Sequence, residues 1–290
     1  MRKNYDIVSI GHVTNDVKNI MGTKNFFTGG AAFFSSFAAQ KSGADVLVIT
    51  KTAEKDSRIL APLREAGIDV ISYPSQYTTS MENAFLTADM DKRSLNLISV
   101  ADSFTLDDIP ADINATVFHL GGLFYGEIPE ELIIPLASRG KLALDLQSVL
   151  RCIESGNIEV KDWAAKKTYL PYIYYLKADI AEMKIITNTD NKEKATQMLF
   201  EWGAKEIVIT EQNELFVFDG KNYFRAPFTP SNQSGRIGRG DTCFLSYIAH
   251  RLAHDISDSI RYSAALTSIK METEGPFSGN INSVLERMKR

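Results

Sequence analysis

The chain has 290 residues, of which 44% are hydrophobic and 23% are charged, and its formal net charge is −4. This composition is typical of one or two globular domains with a sizeable core, and it argues against disorder. The slightly acidic balance and the lack of a long Lys/Arg run argue against nucleic acid as the main partner and favour a small ligand.

The cysteine content and the hydropathy indicate a cytoplasmic protein. Cys152 and Cys243 are too few for a disulfide framework, which indicates reduced thiols. The charged residues 1–5 lead directly into a predicted strand, and no apolar run reaches the roughly 18 residues that a membrane span needs. We therefore expect no membrane partner.

The first part of the chain predicts strands that alternate with helices. Bounded apolar runs predict strands at residues 5–10, 45–50 and 69–73, and helical patterns lie at 31–41 and 57–66. Residues 81–90 and 93–100 then predict two strands joined by the turn Asp89-Met90-Asp91-Lys92, with no helix between them. Together with residues 12–28, the stretch 78–100 predicts a small β lid outside the main sheet.

The alternation returns in the second part of the chain. Strands are predicted at residues 116–121, 142–146, 172–177 and 205–210, helices at 129–138, 180–187 and 192–202, and a hairpin at 214–218 and 222–228. The remainder reads as helical apart from 274–279. This pattern predicts a single α/β domain over 1–290, with a doubly wound, mostly parallel sheet and helices on both faces.

One short segment, Gly238-Arg239-Gly240-Asp241, combines the features of a phosphoryl-transfer site. Its glycines allow the backbone to approach a ligand, and the helix predicted at 245–252 would present free N–H groups to phosphate. Asp241 could accept the proton of a hydroxyl that lies in front of it. From these residues alone, a glycine-rich turn with an Asp that caps the helix is the favoured interpretation.

The segment resembles the second signature of the ribokinase-like (PfkB) sugar kinase family. Gly29-Gly30, at the start of the helix predicted at 31–41, resembles the first signature. The resemblance implies a ribokinase-like fold and an ATP-dependent kinase that uses Mg²⁺, in which Asp241 is the general base and Gly238, Arg239 and Gly240 form the anion hole.

The resemblance also implies residues that bind the acceptor. Asp16 follows the first strand, where an acid of the family holds substrate hydroxyls, and Gly29 and Gly30 would let the backbone approach a polyol. Glu82 and Asn83 on the lid, with Gln147 and Arg151 after the strand at 142–146, resemble the branch that contains myo-inositol kinases. A solvated turn remains the alternative for Asp16, and an ion pair is the alternative for Arg151.

At the donor end, Asp179-Ile180-Ala181-Glu182 resembles a family motif whose Glu helps to place magnesium. The implied ATP contacts are Lys177, Asp179, Thr210, Gly238, Gly240 and Gly275, and the implied metal residue is Glu182. A capping box, in which Asp179 is the N-cap and Glu182 the third helical residue, explains the same spacing.

Other signatures are absent or weak. The chain has no P-loop, and the glycines at 235, 238 and 240 have the wrong order for a dinucleotide fingerprint. His250 and His254 have helical i, i+4 spacing without an acid between them, which favours a partly exposed helix face over a zinc site. Arg239 is expected to point outward, and Arg239→Ala to lower kcat less than tenfold.

The sequence therefore predicts an ATP-dependent kinase for a small polyol or sugar, with myo-inositol as the leading candidate. A nucleoside kinase of the same fold and a catalytically weak polyol or nucleotide sensor remain open. A homodimer formed through the lid is a further expectation.

Overall fold

The computed structural model describes residues 3–85 and 93–289. Its strands are β1 (Asn4–Ile10), β2 (Thr14–Ile20), β3 (Thr23–Gly29), β4 (Val46–Thr52), β5 (Asp69–Pro74), β6 (Ser80–Phe85), β7 (Arg93–Ser99), β8 (Asn114–Leu120), β9 (Lys141–Asp145), β10 (Arg151–Glu154), β11 (Asn157–Val160), β12 (Ile173–Asp179), β13 (Glu206–Thr210), β14 (Glu214–Phe218) and β15 (Tyr223–Pro227).

The helices complete the secondary structure of the described residues. They are α1 (Ala31–Lys41), α2 (Ala61–Glu65), α3 (Ile133–Ala137), α4 (Gln147–Leu150), α5 (Lys166–Tyr169), α6 (Ile180–Thr187), α7 (Lys192–Glu201), α8 (Arg239–Arg251), α9 (Ile256–Met271) and α10 (Ile281–Arg287). Short 3₁₀ turns cover Glu54–Leu60, Leu106–Asp108, Glu130–Leu132 and Leu170–Tyr172. None of the described helices is long and apolar enough to cross a membrane.

A nine-stranded sheet with the order β15-β14-β13-β12-β9-β8-β1-β4-β5 forms the centre. The strands from β13 to β5 pair in parallel, and the β14–β15 hairpin adds an antiparallel edge. This confirms the predicted doubly wound, mostly parallel sheet. It also places the carboxyl ends of the parallel strands at one edge, where such sheets bind ligands.

Both faces of the sheet are covered because its buried strands are apolar on both sides. Ile7 of β1 packs in one core with α1, α8 and α9, while the next residue, Val8, packs in the other core with α6 and α7. Successive side chains of a strand point to opposite faces, so one apolar run supplies both cores.

A second, four-stranded sheet with the order β3-β2-β6-β7 forms the lid. β6 and β7 pair antiparallel, which confirms their predicted pairing, and β2 joins them through a parallel pairing with β6. The turn predicted at 89–92 lies outside the described residues.

Three local features differ from the sequence predictions. Helix α8 begins at Arg239, six residues before the predicted start at 245, because Gly238 adopts a left-handed φ of 75° and serves as its N-cap. The helices predicted at 57–66 and 129–138 each begin as a 3₁₀ turn, and Pro62 in the first turn of α2 suits an α-helix that begins there. The hairpin β10–β11 was not predicted.

Candidate active site

The carboxyl ends of the parallel strands open into a cavity of about 380 Å³ between the central sheet, the lid and the N-terminus of α8. Twelve of the residues singled out in the sequence line it: Asp16, Gly30, Asn83, Gln147, Arg151, Lys177, Asp179, Thr210, Gly238, Arg239, Gly240 and Asp241. The fold thus brings together segments that are more than 200 residues apart in the chain.

The turn at Gly238 is shaped by its surroundings. A Cβ added there would lie 2.3 Å from the ring of Phe34, and one added at Gly240 would lie 3.2 Å from Lys177 Nζ. The Arg239 N–H donates to the carbonyl of Arg236 at 3.2 Å. Among the described residues, no group accepts a hydrogen bond from the N–H of Gly240 or Asp241, as expected for the first turn of a helix. These two donors can therefore bind an anion.

Asp241 lies deep in the cavity and keeps part of its surface open to it. No hydrogen bond or ion pair from the described part of the chain reaches its carboxylate. Burial raises the pKa of Asp241, and the charges of Lys177, Arg151 and Lys270 act in the opposite direction. A carboxylate in this state is suited to accept a proton from a bound hydroxyl.

A buried lysine lies beneath the anion-binding turn. Lys177 Nζ is 2.8 Å from Asp145 Oδ2 and 3.8 Å from Glu182 Oε2. Burial alone would lower the pKa of Lys177, but the carboxylates of Asp145, Glu182 and Asp241 outweigh that effect and raise it. Lys177 is therefore a permanent positive charge next to Gly240.

Asp179 and Glu182 form the capping box that their spacing allowed. The Glu182 N–H donates to Asp179 Oδ1 and the Asp179 N–H donates to Glu182 Oε2, both at 2.8 Å. Glu182 does not line the cavity. The other carboxylate oxygen of Glu182 is 3.5 Å from the guanidinium of Arg151. Arg151 therefore forms the ion pair that was the alternative to a ligand contact.

Asp16 lines the cavity and is held in place by the lid. Its Oδ1 accepts a hydrogen bond from the Met81 N–H at 2.9 Å. A Cβ at Gly29 would lie 2.7 Å from Asp16 Oδ2, so Gly29 leaves room for the carboxylate and does not itself line the cavity. Burial raises the pKa of Asp16 to about 6, although the hydrogen bond from Met81 opposes it.

Glu82 and Asn83 are neighbours on β6, and their side chains lie on opposite faces of the lid sheet. Asn83 lines the cavity, whereas the neighbouring Glu82 is on the other face of β6, as adjacent strand residues must be. There Glu82 accepts hydrogen bonds from Asn19 and Asn96 at 3.0 and 3.2 Å and pairs with Lys24 at 3.0 Å. The structure therefore does not place Glu82 in the cavity, where it was expected to contact the acceptor.

Gln147 contributes a polar group to the same cavity. Its side-chain amide donates to the carbonyl of Gly122 at 3.2 Å, and its N–H donates to Asp145 at 3.1 Å. These bonds fix the side chain, and its oxygen accepts no hydrogen bond from the residues that the structure describes. The oxygen can therefore accept a hydrogen bond from a ligand hydroxyl.

Two arginines, Arg236 and Arg239, line the cavity beside the turn at Gly238. Arg239 was expected to point outward, but it lines the cavity: its guanidinium lies 5.8 Å from the Phe228 ring and donates to the carbonyl of Gln212 at 3.4 Å. The sequence analysis did not identify Arg236 as a site residue, although its position two residues before Gly238 could have indicated it. Neither arginine forms an ion pair with a described carboxylate, so both charges can meet an anionic ligand.

Two predicted features lie elsewhere. Gly275 lines a separate apolar cavity of about 320 Å³, so the structure does not bring it to the donor contacts. His250 and His254 gain an acid from α9, Asp258, at 3.9 and 3.6 Å. The ligand atoms of these three residues lie within 4.8 Å of one another, close enough to hold an ion, but the group is about 20 Å along α8 from Gly238.

Comparisons with known proteins agree with this fold. The model of the pfkB family carbohydrate kinases matches residues 4–282. A pyrophosphate-dependent kinase in the ribokinase family, solved with a pyrophosphate analog and myo-inositol, is 32% identical with a TM-score of 0.89, over 97% of this chain and 99% of that one. A sulfate complex of a pyrophosphate-dependent kinase in the ribokinase family is 34% identical, with a TM-score of 0.89 and the same coverage.

A more distant structure shows only the shared fold. Ribokinase from Arabidopsis thaliana, complexed with ribose and ATP, is 17% identical, with a TM-score of 0.79 over 99% of each chain. No curated protein matches the chain. The predicted ribokinase-like fold is confirmed.

Proposed function

The chain belongs to the pfkB family of carbohydrate kinases, and we propose that it transfers a phosphoryl group from inorganic pyrophosphate to a hydroxyl of a small polyol, with myo-inositol as the leading candidate. The observation that carries this proposal is the content of one cavity. Among the described residues, the carboxylate of Asp241 has no hydrogen-bond or ion-pair partner, two N–H groups of the helix N-terminus donate to no acceptor, and the two arginines form no ion pair, and all of these groups line this cavity.

Three reasons favour pyrophosphate over the expected ATP. A volume of about 380 Å³ is near the lower end of the ~300–1,000 Å³ typical of small-molecule sites, which suits a polyol and a small donor better than a polyol and a nucleotide. Arg236 and Arg239 supply charge for a compact polyanion, and arginine binds phosphate oxygens in a bidentate manner. The two similar kinases named for pyrophosphate point the same way.

The residues divide the reaction between them. The polyol hydroxyls are held by Asp16, Asn83 and Gln147. Asp241 accepts the proton of the reacting hydroxyl while the oxygen of that hydroxyl attacks the nearer phosphorus of pyrophosphate. The bridging P–O bond of pyrophosphate breaks, orthophosphate leaves toward Arg236 and Arg239, and the proton passes from Asp241 to solvent. The N–H groups of Gly240 and Asp241, with Lys177, stabilise the charge of the transferring group.

Magnesium bound to the donor oxygens would neutralise charge that develops during transfer. Within the described ranges, the acids near the cavity do not form a cluster of three that could bind an ion directly. We therefore assign Glu182 and Asp179 an indirect role, through water molecules around a hydrated ion.

The test is a matrix of initial rates. Pyrophosphate, ATP and ADP are each combined with myo-inositol, other inositols, hexoses, ribose and nucleosides in the presence of magnesium. We expect the highest kcat/KM for pyrophosphate with an inositol. A nucleoside as the best acceptor would indicate the nucleoside kinase, and polyol binding without turnover would indicate the sensor.

We expect Arg236→Ala and Arg239→Ala each to raise the KM for pyrophosphate by roughly tenfold, about the 1.4 kcal/mol of one charge-assisted hydrogen bond. The polyol KM should not change, and kcat should fall less than tenfold. Arg261→Ala is the control, because Arg261 is exposed on α9 and paired with Asp258. An unchanged pyrophosphate KM in both variants would remove the arginines from the donor site.

Glu182→Gln should raise the magnesium concentration needed for half-maximal rate on the order of tenfold. The amide keeps an acceptor for the Asp179 N–H, so the melting temperature should change little. Glu193→Gln, in the first turn of α7, is the matched control. A lower melting temperature with unchanged magnesium dependence would reduce Glu182 to a capping residue.

A further inference from the structure

Lys270 is a lysine in the last turn of α9 whose side chain is almost completely buried. Only 1% of its surface is exposed, although lysine is among the residues least often buried. Within the part of the chain that the structure describes, no carboxylate forms an ion pair with it. A charge removed from water in this way is costly unless polar groups replace the lost hydration.

Two main-chain carbonyls replace that hydration. The ammonium of Lys270 donates hydrogen bonds to the carbonyl oxygens of Gly235 and Ile237. These residues flank Arg236 and directly precede the anion-binding turn at Gly238. The ring of Phe34 lies 5.2 Å from the ammonium, within the range of a cation–π contact.

The same loop is attached to the end of α9 by its backbone. The Gly235 N–H donates to the carbonyl of Met271 at 2.8 Å. A Cβ at position 235 would lie 1.7 Å from the carbonyl oxygen of Thr273, so only glycine fits this close approach. Lys270 therefore completes a set of contacts that fixes the backbone immediately before Gly238.

The ammonium also acts on the candidate base through space. Lys270 is one of three cations that oppose the raised pKa of Asp241. Burial lowers the pKa of Lys270 to about 8, and the charges of Asp241 and Glu274 oppose this. At neutral pH the side chain is therefore mostly charged.

We propose that Lys270 is a positioning residue for phosphoryl transfer: a cation, covalently tethered to α9, that binds the carbonyls of Gly235 and Ile237, holds the anion-binding turn in shape and keeps positive charge behind Asp241. It does not line the cavity, so it acts through the turn and not on the substrate. The proposal rests on the kinase activity of the family and is independent of the donor.

The proposal predicts that a free cation can replace the side chain. Lys270→Ala leaves a small hole lined by two carbonyl oxygens, which suits K⁺ or ammonium. We expect kcat to fall on the order of a hundredfold in sodium buffer and to recover at least tenfold in potassium or ammonium chloride, but not in tetramethylammonium chloride. The wild type and the control Lys194→Ala, an exposed lysine of α7, should respond to none of these salts.

A pH profile gives a second readout. The charged groups coupled to Lys270 are Asp241 of α8 and Glu274, which follows α9. Wild-type activity should fall as pH rises through about 8, because the ammonium loses its charge. Lys270→Ala in potassium chloride should lack this decline, since K⁺ does not titrate.

If no combination of donor and acceptor gives turnover, the melting temperatures of the variants test the proposal instead. Lys270→Ala should melt at a lower temperature than the wild type and regain part of the difference in potassium over sodium chloride. If Lys270→Ala does not fold, Lys270→Met, which retains the volume, should show the kcat loss without cation rescue. Near-normal kcat in either variant, or a loss that no cation reverses in Lys270→Ala, would overturn the proposal.

Discussion

Asp241→Asn is expected to lower kcat by ~10²- to 10⁴-fold, the largest loss of any substitution considered, while the KM values for polyol and pyrophosphate change little. The amide keeps the shape of the carboxyl group but cannot take the proton of the acceptor hydroxyl. The substitution should disturb the structure little, because no described residue forms a hydrogen bond with this carboxylate.

Stability provides an internal check on that variant. The pKa of Asp241 is raised in the fold, so its ionised form destabilises the protein at pH values above the pKa of the unfolded chain. Asp241→Asn should therefore be at least as stable as the wild type at neutral pH, and the difference should vanish at acid pH, where both states are protonated. Asp190→Asn, an exposed acid paired with Lys184, is the control. A variant that retains most of its kcat would make Asp241 only a residue of the helix start.

Asp16→Asn should raise the polyol KM by ~10- to 100-fold, because a buried carboxylate that accepts from ligand hydroxyls loses its charge. The pyrophosphate KM should stay the same. Glu82→Gln is a matched control, since Glu82 is on the opposite face of the same lid sheet and should leave both constants unchanged.

The pH dependence of the wild type tests the same contact. With a pKa of about 6, Asp16 gains a proton as pH falls through that value, so the polyol KM should rise there. Asp16→Asn should lack that rise. An unchanged polyol KM in this variant, at any pH, would exclude Asp16 from the acceptor site.

The sequence predicted the central sheet because its strands are short apolar runs separated by helical patterns. It could not decide which of Glu82 and Asn83 faces the cavity. A shift of one residue in register exchanges the two faces of a strand, and both residues are polar. The spacing of Asp179 and Glu182 was compatible with two roles, and the structure shows the capping hydrogen bonds but leaves the metal role as a proposal.

Other residues depend on contacts between distant parts of the chain. Lys270 looks like a surface lysine near the end of a helix, and it is buried because a loop more than 30 residues away closes over it. Arg239 was expected to point outward from the geometry of a tight turn. It lines the cavity because Phe228, which follows β15, and Gln212, which lies between β13 and β14, form a surface for its guanidinium.

Phosphorus NMR of the wild type with myo-inositol, pyrophosphate and magnesium tests the central claim most directly. We expect the pyrophosphate signal to disappear while orthophosphate and an inositol phosphomonoester appear in equal amounts, with no such change in Asp241→Asn. If pyrophosphate remains intact while ATP in a parallel sample gives the phosphomonoester, the donor assignment is contradicted. Orthophosphate without any phosphomonoester would contradict the assignment of a polyol kinase.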